Sequence, residues 1–143
     1  MIDARKGLVA GVVLAACAAA AGCGGSDDPR PISGEAEQVA RTIQQLERAT
    51  ARRDFDAICD RIFTADERKA AGGEKCPDLL KRTAGDVRNP KIEIEKIDLE
   101  GKKALVTVET TAAGQKPVRE RIALVRERGR WRVAALADGS SDD

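Results

Sequence analysis

The hydrophobic pattern of this chain changes period once, at Asn89-Pro90, and that change limits the fold more than any other feature. Before it, Ala36, Val39, Ala40, Ile43, Leu46 and Ala49 recur every three or four positions. That spacing lines one side of an α-helix. After it, inward candidates fall on alternate positions, as in Ala104, Val106 and Val108. Successive strand side chains point to opposite faces, so alternation describes a sheet with one buried face. Helices followed by an antiparallel meander make an α+β fold, with N-terminal helices packed on one face of a curved sheet of about four strands.

The helical half divides at its caps and glycines. Ser33 is placed to cap a first helix that ends near Arg53, with Glu37, Gln38, Arg41, Gln45 and Arg48 on its polar side. Asp54 then caps a second helix whose buried side holds Phe55, Ile58, Cys59, Ile62 and Phe63. Residues 64–69 form a further turn before Gly72-Gly73, and Cys76-Pro77 opens a third helix through Leu79, Leu80 and Ala84.

In the strand half, Ile92 and Ile94 differ in parity from Ile97 and Leu99, so a bulge near Glu95-Lys96 is required for all four to face one core. Gly101 and the 113–115 segment supply turns, and Val118, Ile122 and Leu124 form the inward set of the third strand. Arg128-Gly129 reads as a two-residue hairpin turn. Pairing Glu127 with Arg130 sets Leu124 opposite Val133 and Ile122 opposite Ala135, with Trp131 facing inward.

The N-terminus carries an address. Arg5-Lys6 precedes an apolar run of Ala, Val, Leu and Gly that stops at Cys23, and a Gly/Ser/Asp/Pro stretch follows. A basic start, an apolar centre and small residues before the break describe a secretory signal. The run is about sixteen residues, short of the roughly 20 that span a bilayer. With a cysteine at the break, the segment resembles the signal of a bacterial lipoprotein. The resemblance implies acylation of that cysteine and retention at the outer face of the cytoplasmic membrane. Two cysteines compete. Ala20-Ala21-Gly22-Cys23 sits where the polar tether begins, which favours Cys23, whereas Leu14-Ala15-Ala16-Cys17 matches the preference for Leu three places earlier. The implied organisation is a signal over 1–22, a tether over 23–34, one domain over 35–137 and an acidic, disordered tail over 138–143.

Composition excludes several functions. The chain has 25 Lys+Arg against 24 Asp+Glu, and loss of Arg5, Lys6 and Asp3 with the signal leaves it formally neutral. Neither a large positive field nor aromatic stacking platforms exist for nucleic acid, since Tyr is absent and the chain holds 1 Trp and 2 Phe. His is absent too, which removes the commonest general base and zinc ligand. No metal or cofactor is expected. Cys59 and Cys76 are seventeen apart, not a redox or zinc CxxC pair. Export to an oxidising compartment favours a disulfide between them over two buried thiols.

The long first helix, the Arg53-Asp54-Phe55 step and the closing Gly129-Arg130-Trp131-Arg132-Val133 strand together resemble the nuclear transport factor 2-like superfamily, a cone-shaped α+β fold. The resemblance spans residues 35–137. It implies an interior that in some members is a ligand cavity; Ile43, Leu46, Ile58, Ile62, Val106 and Trp131 would line it, and would equally fill a solid core. Enzymes of the superfamily, such as ketosteroid isomerases and dehydratases, use Asp, His and Tyr inside the cone, a set with no counterpart here. Asp54, Asp56 and Asp60 remain as conceivable bases, but read more simply as a cap and a solvated face. Arg119, Arg121, Arg130 and Arg132 fall on the outer sheet face, either as a basic patch for anionic headgroups or an acidic partner, or as a solvated face balanced by Glu93, Glu109, Glu120 and Glu127. The reading that follows is a lipid-anchored, non-enzymatic binding domain for a small apolar ligand or an envelope protein. The alternatives are a lyase or isomerase of the superfamily and a structural subunit of an envelope complex.

Overall fold

A computed structural model describes residues 34–137. The Ser33 cap, both candidate lipidation cysteines (Cys17 and Cys23), the signal, most of the tether and the 138–143 tail lie outside the described residues.

Helix α1 (Gly34–Arg52) buries Val39, Ala40, Thr42, Ile43, Leu46 and Ala49, the stripe set by its 3.6-residue repeat. Arg53, at φ 57°, turns the chain out of it. The short helix α2 (Phe55–Ala57) starts under the Asp54 cap, whose carboxylate accepts from the Ala57 N–H at 3.1 Å. It runs directly into a π-helical turn over Ile58–Ile62, closed by the Phe63 N–H donating to the Ile58 carbonyl five residues back at 2.8 Å. The wider winding puts Ile58, Cys59, Ile62 and Phe63 on one buried side while Asp60 and Arg61 face out. Thr64 caps α3 (Ala65–Ala70), and α4 (Cys76–Ala84) follows with proline in its first turn. The sulfurs of Cys59 and Cys76 are at disulfide distance, with their Cα atoms 6.1 Å apart, so α4 is tied to the π-turn.

Four strands, β1 (Lys91–Glu100), β2 (Lys103–Thr111), β3 (Val118–Glu127) and β4 (Arg130–Ala137), form an antiparallel sheet in sequence order. The expected bulge in β1 falls between Ile94 and Lys96, bringing Ile92, Ile94 and Ile97 onto the core side. Arg128 and Gly129, with φ of 50° and 75°, make the hairpin turn between β3 and β4, where both central residues must be left-handed. Leu124 pairs with Val133 as expected, but a second bulge shifts the ladder between Ala123 and Leu124. Ile122 therefore faces Leu136, and Ala135 pairs with Ala123 on the outer face rather than pointing inward.

Burial on the inner face depends on how far the helices reach. Val39, Ile43, Val106, Val108, Ile122, Leu124 and Val133 are fully enclosed. Val118, counted among the inward residues of β3, is 51% exposed, and Leu99 and Leu136 are 37% and 44% exposed. Val118 opens its strand, Leu136 is the last but one residue of another, and Leu99 lies on the edge strand β1, where the sheet outruns its cover. The opposite edge is covered: Phe63 bridges Val133 in parallel, and the Thr64 N–H donates to the Val133 carbonyl at 2.9 Å.

Candidate functional site

The six residues expected to line a cavity, Ile43, Leu46, Ile58, Ile62, Val106 and Trp131, all belong to one continuous buried cluster. Ile62 and Trp131 also reach the wall of an open groove. The three aspartates sit at the surface. Asp54 caps α2 and lies 3.9 Å from Arg61; Asp60 is paired with Arg68 at 3.1 Å; Asp56 is exposed.

The four hairpin arginines share the outer face but not one patch. Arg119 and Arg121 pair with Glu109 and Thr107 near the start of β3, whereas Arg130 and Arg132 lie opposite Glu127 and Val125 at its end. At about 3.3 Å per residue, Arg121 and Val125 are roughly 13 Å apart along the strand. Arg119 forms an ion pair with Glu95, the bulge residue of β1, at 2.7 Å. Arg132 folds over the sheet edge and donates to the Asp60 and Phe63 carbonyls, each at 3.3 Å. Glu120, expected to balance these charges, shares strand parity with Ile122 and so lies on the inner side.

Two clefts flank the β3–β4 turn and share Arg130. The wider one, of about 1040 Å³, runs between the π-turn, α3 and the hairpin. Within it Arg68 pairs with Asp60, Arg132 donates to two backbone carbonyls, and Glu74 and Glu127 add two carboxylates to the lining. Nearby, burial raises the Glu67 carboxyl above its ordinary value in the first turn of α3.

The narrower groove, of about 520 Å³, lies between α1, the π-turn and the start of β4. Gln38, Arg41, Gln45, Arg48 and Arg52 follow one another at spacings of three and four along α1 and form one wall. Arg61 and Arg130 close it from the other two elements. Asp54 is the single acidic residue among its lining residues, set against five arginines. Arg41 pairs with Glu37, which stands outside the lining. Arg48, Arg52 and Arg130 make no ion pair among the described residues. Trp131 contributes part of the wall while 95% of its surface is covered; its carbonyl accepts from the Thr42 hydroxyl at 3.2 Å, and its indole N–H is buried without a partner among the described residues. Sequence reasoning picked out Gln38, Arg41, Gln45 and Arg48 as the polar side of α1 and Arg130 as a sheet residue. It missed Arg52 and Arg61 and the meeting of all these groups. The three-four spacing of Gln38, Arg41, Gln45, Arg48 and Arg52 along α1 is the signal that points to them.

This order of elements defines the class of fold. Solved structures with the same arrangement include a nuclear transport factor 2-like protein of unknown function from Silicibacter pomeroyi. It is 19% identical with a TM-score of 0.57, over 74% of this chain and 95% of that one. A second, from Shewanella baltica and also of unknown function, is 13% identical with a TM-score of 0.52, over 71% and 90% of the two chains. A de novo designed protein of the same fold is 18% identical with a TM-score of 0.50, over 71% and 85%. The chain therefore has the nuclear transport factor 2-like fold. No protein-family model and no curated protein matches it.

Proposed function

We propose that this protein is an exported, lipid-anchored binding domain without catalytic activity, and that it makes contact through the arginine-lined end of the cone around the β3–β4 turn. The observation that carries this reading is the distribution of charge. The interior cluster is built from apolar side chains and the cystine, and Thr42 and Thr64 are the buried polar residues among those described. A proton-transfer site of the superfamily's type needs a carboxylate sheltered from water, where desolvation tunes its basicity. Asp54, Asp56 and Asp60 are exposed instead, while cationic side chains gather in a surface groove. A buried cystine also suits the oxidising space outside the cytoplasm.

Anchoring is tested by feeding cells a fatty-acid analogue and reading its incorporation into the protein. Wild type and Cys17→Ser are expected to take up the label, and Cys23→Ser to lose it. Label that persists in Cys23→Ser and vanishes in Cys17→Ser moves the anchor to Cys17. An unlabelled wild-type protein refutes anchoring.

A further inference from the structure

We infer that the groove between α1, the π-turn and β4 is a binding site for a phosphate ester, held by Arg48, Arg52 and Arg130. The inference rests on the binding reading above and names the ligand class that the site takes.

The observation that carries it is uncompensated charge along a formed groove. Five guanidinium groups line the groove against one carboxylate. That carboxylate, Asp54, already accepts the Ala57 N–H and stands 3.9 Å from Arg61. Arg48, Arg52 and Arg130 have no anionic partner among the described residues. Like charges gathered along one groove repel one another, and a bound anion offsets the repulsion. Trp131, 5% exposed, forms part of the same groove wall, so its emission senses what binds there.

The chemistry of the donors selects the anion. Guanidinium groups present planar forks of N–H donors that match the oxygens of phosphate. Several such forks facing one space suit a group with several anionic or acceptor oxygens better than a lone carboxylate. Arg48 and Arg52 project from a 19-residue helix anchored to the sheet by its apolar stripe, so their spacing is set by a rigid element. The groove, at about 520 Å³, is in the size range of small-molecule sites and leaves room for an organic group beside the phosphate, along the wall formed by Thr42, Ala49 and Ile62. Both a soluble phosphate monoester and a phospholipid headgroup have this chemistry.

The chain contains 1 Trp, so its fluorescence reports on this site alone and is independent of how the protein is tethered. The exported protein is titrated at constant ionic strength with glycerol 3-phosphate, and separately with vesicles of phosphatidylcholine with and without phosphatidylglycerol. A saturable change in Trp131 emission with glycerol 3-phosphate assigns the site to a soluble ester. A change confined to phosphatidylglycerol vesicles assigns it to a lipid headgroup. In either case, Arg48→Gln/Arg52→Gln should weaken the response at least tenfold while keeping the far-ultraviolet circular dichroism of the parent, because both residues are exposed. The inference is overturned by an unchanged emission with every probe, by an equal response to matched sodium chloride, or by an unaltered affinity in the double variant. Fatty-acid labelling is read separately, so a failed titration with intact labelling removes the phosphate site and leaves the anchor standing.

Discussion

Cutting the Cys59–Cys76 link should loosen the whole helical layer, because the 17-residue separation it closes contains much of what holds that layer to the sheet. Within it lie Phe63 and Thr64, whose backbone covers the edge of β4, and α3 beyond them. Closing a loop of this size removes enough freedom from the unfolded chain to contribute about 3 kcal/mol in the chain-entropy model. Cys59 and Cys76 are both fully enclosed, so alanine at each position also leaves a sulfur-sized void, at about 1 kcal/mol apiece. Cys59→Ala/Cys76→Ala is thus expected to lose about 3–5 kcal/mol, a large share of the 5–15 kcal/mol typical of a domain. At about 4–8 °C per kcal/mol for a domain near this size, the midpoint should fall by at least roughly 12 °C. Urea unfolding followed by Trp131 emission and by circular dichroism measures the loss directly. Reductant added to the wild-type protein separates the two contributions, since it opens the link without creating voids and should cost the loop share alone. Equal midpoints for wild type with and without reductant, together with two alkylatable thiols in the folded protein, would refute the argument.

Two further outcomes follow from the packing. Trp131→Ala removes the largest side chain of the core cluster and should cost about 3–5 kcal/mol by equilibrium unfolding; unchanged stability would mean that Trp131 is not part of the core. Glu67, whose carboxyl is raised by burial, binds its proton more tightly in the folded than in the unfolded state, so its contribution is full below pH 4.5 and is lost as pH rises through the higher folded value. Glu67→Gln should therefore match wild type in acid and be slightly more stable at neutral pH, and a denaturation series across that range reads the difference.

What the sequence determined by itself is the part of the fold governed by near neighbours. The apolar stripe of α1, the Asp54 cap, the β1 bulge and the left-handed Arg128-Gly129 turn all depend on residues a few positions apart, and each stands where its pattern put it. The cysteine pair was legible for a different reason, since few partners exist for either thiol in an exported chain.

Tertiary structure decided the rest. The π-turn at Ile58–Ile62 had no local signal, because the spacing of Ile58, Cys59, Ile62 and Phe63 suits one face of an ordinary α-helix equally well. The bulge opposite Ala123 moved Ala135 outward in a strand whose alternation gave no sign of it. Val118 shares parity with the buried Ile122 and Leu124 and is nonetheless exposed, because exposure depends on where the helices stop. The candidate site is the clearest case. Arg48, Arg61 and Arg130 come from a helix, a π-turn and a hairpin far apart in the chain, and each alone reads as an ordinary surface charge. Only packing gathers them along one groove, because the proximity of charges on separate elements is set by how those elements dock, not by their spacing in the chain.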